Sequence, residues 1–161
     1  MTANSPPIEF RSATIDDLPA ILLLLAEDVL GAQRESLDEA ARARYEAAFR
    51  DIHAQQGNQI LLGVRGDEVV AMLQLTFIPG LSHQGGMRAQ IESVRVKRSS
   101  RGQGLGKRLF REAVELSKQA GCIMVQLTTD RRRDDAIRFY EELGFKSTHF
   151  GMKLPLQGSM A

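Results

Sequence analysis

Residues 8–13, Ile-Glu-Phe-Arg-Ser-Ala, alternate between apolar and polar positions and predict a strand with one buried face. The period lengthens at Thr14. Leu18, Ile21, Leu22, Leu25 and Val29 then fall on one stripe, which predicts a helix stopping near Gly31. Thr14 and Asp17 stand close to a capping-box pair, and Pro19 fits a first turn. A full capping box, Ser36-Leu37-Asp38-Glu39, predicts a second helix with Ser36 as its N-cap, worth about 1 kcal/mol. Leu37, Ala41, Tyr45, Ala48, Phe49 and Ile52 form its inward face, and Gly57-Asn58 ends it.

Runs 59–65 and 69–78 read as two strands joined at Gly66-Asp67 in a hairpin. Residues 79–87 form the one long loop, with three glycines and a proline, and such loops commonly carry substrate contacts. A strand over 89–96 precedes a helix over 105–120, whose stripe is Leu105, Leu109, Ala113, Leu116 and Ala120, with Gly121 just past its end. Residues 122–128 are continuously apolar, the pattern of a strand buried on both faces. A link over 129–133, a short helix over 134–143 closed by Gly144, and a last strand region over 145–154 complete the pattern, before a frayed tail at 157–161. The order predicts an α/β sheet of mixed polarity with helices on its faces. The crossover through 105–120 makes the 89–96 and 122–128 strands parallel neighbours.

Composition narrows the classes. At 161 residues, with 43% hydrophobic and 25% charged, the chain reads as a single domain over 1–161, its core over 8–154 and tails at 1–7 and 155–161. A net charge of +1 and few aromatics argue against a nucleic-acid partner, since basic character is local to 97–101 and 131–133. Residues 1–7 lack a basic or apolar leader, and the longest apolar run, 20–26, is too short for a bilayer, so a cytoplasmic protein with no membrane partner is expected. The single cysteine, Cys122, cannot form an internal disulfide and reads as a buried, inert thiol.

The candidate chemistry gathers where the 89–96 strand runs into the 105–120 helix. Three glycines stand within Gly102-Gln103-Gly104-Leu105-Gly106, flanked by Lys97, Arg98, Arg101 and Lys107. Glycines let backbone N–H groups converge on a ligand, and a helix N-terminus adds unpaired N–H groups with a positive dipole end, so the turn reads as an anion cradle. It is not a Walker A loop, because Arg101 and Arg108 stand where glycine and Ser/Thr are required. Nor is it a G-x-G-x-x-G dinucleotide turn, because Lys107 takes the third glycine's place.

Arg101-Gly102-Gln103-Gly104-Leu105-Gly106 does resemble the R/Q-x-x-G-x-G/A signature of the GCN5-related N-acetyltransferases (the GNAT superfamily). A second landmark, Phe139-Tyr140-Glu141-Glu142-Leu143-Gly144-Phe145, is similar to that family's Tyr-x-x-x-Gly-Phe segment. The resemblance implies a mixed, mostly antiparallel sheet of six to seven strands with about four helices. In the family the parallel pair splays to admit the pantetheine arm of acetyl-CoA. It also implies direct transfer of acetyl from acetyl-CoA to the primary amine of a small molecule. A protein lysine or N-terminal acetyltransferase and a non-catalytic CoA-binding module are the alternatives. Homodimers are frequent in the family, and nothing in this sequence decides for or against one.

By resemblance, the cofactor is held by the backbone of Val94 and Val96 and by Arg101, Gly102, Gln103, Gly104, Leu105, Gly106 and Lys107, with the Val94 N–H at the thioester carbonyl. Tyr140 corresponds to the family's general acid, although Ala136, Phe139, Tyr140 and Leu143 also form a core stripe. Glu92, among Ile91, Val94 and Val96, is a candidate base or water-positioner with a raised pKa, or else a docking group for a cationic amine. His83 in the long loop, Arg133 and His149 are candidate substrate contacts, each with a plain surface or structural reading beside it. Arg133 stands where many members carry Asn, within Asp130-Arg131-Arg132-Arg133-Asp134-Asp135, a cluster that reads as a contact for an anionic substrate, as a contact for the cofactor's 3′-phosphate, or as a solvated turn. The stretch from Leu127 to Phe150 resembles a smaller branch that includes aminoalkylphosphonate N-acetyltransferases. His53 reads as incidental, and the three scattered histidines have no metal-ligand spacing.

Overall fold

In the computed structural model, which describes residues 6–27 and 35–156, five strands form one sheet in chain order: β1 (Ile8–Ser12), β2 (Asn58–Arg65), β3 (Glu68–Ile78), β4 (Met87–Val96) and β5 (Cys122–Leu127). The first three pairings are antiparallel and β4–β5 is parallel, as the crossover helix requires. The helices are α1 (Leu18–Ala26), after a 3₁₀ turn at Ile15–Asp17, then α2 (Glu39–Ala54), α3 (Leu105–Gln119) and α4 (Asp134–Glu142). One further turn, Ser82–Gly85, interrupts the loop between β3 and β4. The chain divides into two compact units, Met1–Leu127 and Thr128–Ala161, the second containing α4. The end expected for the first helix, Val29 to Gly31, and the tail at 157–161 lie outside the described residues.

Alternation sorts the side chains of the first unit onto the two faces of the sheet. A Cβ at Gly63 would lie 3.3 Å from Ala71 Cβ and 3.7 Å from Leu105 Cδ1, so that face meets α3. Leu105, Leu109, Phe110 and Ala113 are buried along α3. On the opposite face Ile60, Leu62, Val64 and Met72 pack with Leu18, Ile21, Leu22 and Phe49 of α1 and α2. Each fully buried aliphatic side chain is worth about 1.5–3 kcal/mol.

Local signals hold these elements in place. Thr14 donates to Asp17 Oδ2 from its backbone N–H at 2.8 Å and from its hydroxyl at 3.2 Å. The Asp17 carboxylate also takes two bonds from Arg11, at 2.7 and 2.8 Å. The Arg11 guanidinium thereby lowers the Asp17 pKa to about 2. Gly66, at φ +60°, turns the β2–β3 hairpin. His53 is structural rather than incidental: its ring stacks on Phe49, and its nitrogens lie 3.0 Å from the carbonyl oxygens of Phe49 and Ala13.

Five expectations need correction. The N-cap of α2 is Asp38 rather than Ser36, because the extended Asp38 backbone lets its carboxylate accept from Ala41 N–H at 2.6 Å. Ser36 instead donates its hydroxyl to Asp38, and Leu37 and Ala48 are exposed. The β5 strand is not buried on both faces; it ends the sheet, and Ile123 and Met124 are exposed. Among the described residues the sheet has five strands rather than six or seven. Residues 145–154, expected as a last strand region, form no strand, since no ladder partner takes up their backbone groups among the described residues, and Phe150, Met152 and Leu154 are exposed.

Candidate functional site

The parallel ladder between β4 and β5 ends at Ile91↔Leu127, while β4 continues to Val96. Beyond Ile91 the β5-side edge of β4 is therefore open. A bulge shapes this stretch. Gln74 pairs with Glu92 and Met72 with Arg95, so Ser93 and Val94 together oppose Leu73, and Ser93 sits at φ +53°. Lys97 N–H donates to Val70 O on β3 at 2.8 Å. Backbone groups alternate in direction along a strand, so Arg95 and Lys97 face β3 while Val94 and Val96 face the open edge. Side chains reach those two carbonyls: Arg95 Nη1 donates to Val94 O at 2.9 Å and Arg101 Nε to Val96 O at 3.0 Å.

The chain next makes a 3₁₀ turn over Arg98–Ser100 and enters the glycine segment. Gly102 and Gly104 adopt φ +75° and +71°, where a side chain is strained, yet a Cβ at either would meet nothing within 4 Å. The backbone there curves around open space rather than around packed neighbours. Gly104 caps α3 without a side-chain hydrogen bond, and the first helical bond runs from Arg108 N–H to Gly104 O at 3.1 Å. The N–H groups of Leu105, Gly106 and Lys107 thus stand outside the helical ladder, at the positive end of a 15-residue helix. The Leu105 side chain is buried against the sheet, so only its backbone faces the cradle.

Gln103 braces the turn. Its Oε1 accepts from Arg65 Nη2 at 3.0 Å and its Nε2 donates to Ser99 O at 3.1 Å. Arg98 N–H donates to Glu27 Oε2 at 2.8 Å, and the Lys97 charge is paired with Glu68 at the entry to the turn. Arg101 and Lys107 are exposed beside the cradle.

Glu92 lies on β4 just before the bulge, exposed, on the face opposite to buried Ile91. The apolar surroundings expected for it belong to Ile91 instead. His83 is exposed on the Ser82–Gly85 turn before β4, with His83 and Gln84 both in the left-handed region. Cys122 opens β5 half-buried, and burial pushes its thiol pKa up, which suppresses the reactive thiolate.

In the second unit, the Tyr-x-x-x-Gly-Phe segment closes α4 as a Schellman motif. Phe145 N–H donates to Tyr140 O at 3.0 Å and Gly144 N–H to Glu141 O at 2.9 Å, with Gly144 at φ +91°. The Tyr140 and Phe145 rings then meet edge to face, 6.1 Å apart, the contact that commonly accompanies this cap. Arg133 stands at the N-terminal end of α4, its carbonyl accepting from Ala136 and Ile137 N–H at 3.0 Å. Asp130 is held well below the usual carboxylate range by its pairing with Arg132. His149 is exposed, its Nδ1 2.8 Å from the Thr148 hydroxyl.

Glu92, Val94, Val96 and the 101–107 turn are therefore brought together on one continuous strand–turn–helix. His83 lies beyond the opposite end of β4, and Tyr140, Arg133 and His149 belong to the second unit. Sequence reading missed the Ser93 bulge, since serine gives no left-handed signal of the kind glycine or asparagine does. It also passed over a set of carboxamide side chains at core-parity positions, Asn58, Gln74, Gln90 and Gln126. There the signal was present, as a polar break in otherwise apolar alternation.

Comparison with known proteins gives the family. The model of the Acetyltransferase (GNAT) family matches residues 25–145. The chain is 32% identical over 146 residues to an aminoalkylphosphonate N-acetyltransferase of Salmonella typhimurium, covering 90% of this chain and 89% of that one. It is 35% identical over 88 residues to a glucosamine 6-phosphate N-acetyltransferase of Trypanosoma brucei brucei, 55% of this chain and 58% of the other. Among solved structures, a transcriptional regulator from Bacillus halodurans C-125 superposes with a TM-score of 0.89 at 44% identity, covering 93% of this chain and 100% of that one. Among the described residues no helix is long and apolar enough to cross a membrane.

Proposed function

Since this chain belongs to the GNAT acetyltransferases and is an acyltransferase, we propose that it transfers acetyl from acetyl-CoA directly to the primary amine of a small molecule, with residues 8–154 acting as one domain. The observation that carries this reading is the open β4 edge running into an uncapped helix N-terminus. When bound, acetyl-CoA supplies the activated acetyl group. The N–H groups from Gln103 to Lys107, with the Arg101 guanidinium, hold the pyrophosphate, and the backbone of Val94 and Val96 aligns the pantetheine arm as an added strand would be aligned. The Val94 N–H polarises the carbonyl oxygen that becomes negative in the transition state. Glu92 takes a proton from the incoming ammonium group, directly or through water, and Tyr140 returns one to the departing thiolate.

The curated relatives act on an aminoalkylphosphonate and on glucosamine 6-phosphate, two amines that both carry a phosphorus oxyanion. A small amine bearing such a group is the acceptor we propose. The test is acetyl-CoA turnover on a panel of such amines by the wild type, Glu92→Gln and Tyr140→Phe. Tyr140→Phe should keep acetyl-CoA affinity and lower kcat by about 10²–10⁴-fold. An unchanged kcat would remove the general-acid assignment. Superimposable pH–rate profiles for wild type and Glu92→Gln would remove the base.

A further inference from the structure

One face of the sheet carries a row of polar side chains outside the apolar cluster under α1 and α2. Asn58 on β2 pairs with Thr76 on β3, Thr76 with Gln90 on β4, and Gln90 with Gln126 on β5. The four stand side by side across four strands, on the face that carries Glu92. They are half-buried and partly satisfied by one another. Asn58 Oδ1 accepts from Thr76 Oγ1 at 3.0 Å and from Gln74 Nε2 at 3.1 Å, and Gln90 Oε1 accepts from Gln126 Nε2 at 2.8 Å. Among the described residues, the carboxamide oxygens of Gln74 and Gln126 keep their acceptor capacity, which suits a donor-rich ligand.

Arg88 and Glu92 flank Gln90 on the same face of β4. Arg88 is half-buried and makes no ion pair among the described residues, and its Nη1 lies 3.4 Å from where a Cβ on Gly80 would stand. The guanidinium therefore reaches toward the β3 end of the loop rather than back along β4. The Arg88 and Glu92 Cα atoms are four residues apart, about 13 Å. A ligand whose amine meets Glu92 and whose anion meets Arg88 must be longer than a two-carbon chain, and Gln90 and Gln126 offer hydroxyl partners between the two ends.

We infer that this row is the acceptor floor, with Arg88 as the oxyanion holder, and that the substrate class is a hydroxylated amine with a distal phosphate, such as a phosphorylated amino sugar. The inference rests on the acetyltransferase reading above. The experiment compares glucosamine 6-phosphate, glucosamine and 2-aminoethylphosphonate as acceptors for the wild type, Arg88→Met, Arg88→Lys and Gln126→Leu. Acetyl-CoA affinity and melting temperature are measured on each. Arg88→Met should raise KM for glucosamine 6-phosphate about 10- to 100-fold while leaving kcat and the KM for glucosamine nearly unchanged. Arg88→Lys should recover part of that loss, and Gln126→Leu should raise KM for both sugars more than for 2-aminoethylphosphonate. Equal effects of Arg88→Met on both sugars, no effect on either, or a wild type that binds acetyl-CoA yet acetylates neither sugar would each overturn the assignment. A folded wild type that does not bind acetyl-CoA would remove the acetyltransferase reading, and this one with it.

Discussion

The face of the sheet under α1 and α2 has two halves that differ within single strands. On β2, Ile60, Leu62 and Val64 lie under α1 and α2, whereas Asn58, at the same parity, lies in the carboxamide row. On β3, buried Met72 gives way to Gln74 and Thr76. Backbone, register and strand twist are shared, so the difference is entirely one of side-chain choice. The apolar half loses water on folding and supplies stability. The polar half keeps hydrogen-bonding capacity at a cost in stability, which points to ligand recognition rather than folding.

Substitutions should separate the halves. The largest loss of stability is expected from Leu62→Ala, about 2–5 kcal/mol by denaturant titration, because Leu62 is fully buried. Gln90→Ala and Gln126→Ala should each stay within about 1 kcal/mol of wild type. If they cost as much as Leu62→Ala, the polar half is structural and the contrast fails. Gly104→Val should cost about 1–2 kcal/mol, since φ +71° is strained for any L side chain. Its added methyl groups would also occupy the cradle.

Two smaller effects test how the apolar half is anchored. The folded Asp17 carboxyl is lowered from its ordinary 3.8 to about 2, chiefly by its bonds to Arg11. Its stabilisation is therefore complete above about pH 4 and lost as pH falls through about 2. Asp17→Asn should cost about 1–2 kcal/mol near neutrality, less than the full shift implies because Arg11 is partly solvated. The gap between variant and wild-type melting temperatures should close as pH falls from 4 to 2; a constant gap would show that Asp17 acts by shape rather than charge. Asp38→Ala should cost about 1 kcal/mol and Ser36→Ala less, in keeping with Asp38 as the α2 cap.

The sequence was most informative where local chemistry decides structure. Period changes located the β2–β3 hairpin and α3, and the glycine signature located the left-handed turn before α3, because positive φ and an uncapped helix start are written in a few adjacent residues. Tyr140 to Phe145 was legible for the same reason, as a helix cap with its own ring contact. Properties that depend on distant partners were not legible. A run such as 122–127, apolar but for Gln126, has the same composition in a central strand as at a sheet edge, and only the pairing of β5 settles its exposure. A strand over 145–154 needs a neighbour to exist, and no local pattern supplies one. The carboxamide row spans four strands, so its members look like isolated polar residues until register aligns them.

The measurement that bears most directly on the central claim is isothermal titration of the purified chain with acetyl-CoA, run on the wild type and on folded Gly104→Val. The account predicts saturable binding at one site by the wild type and an affinity at least about tenfold weaker for the variant. Wild-type protein that does not bind, or a variant that binds equally well, would contradict the assignment of the 101–107 turn as the pyrophosphate cradle.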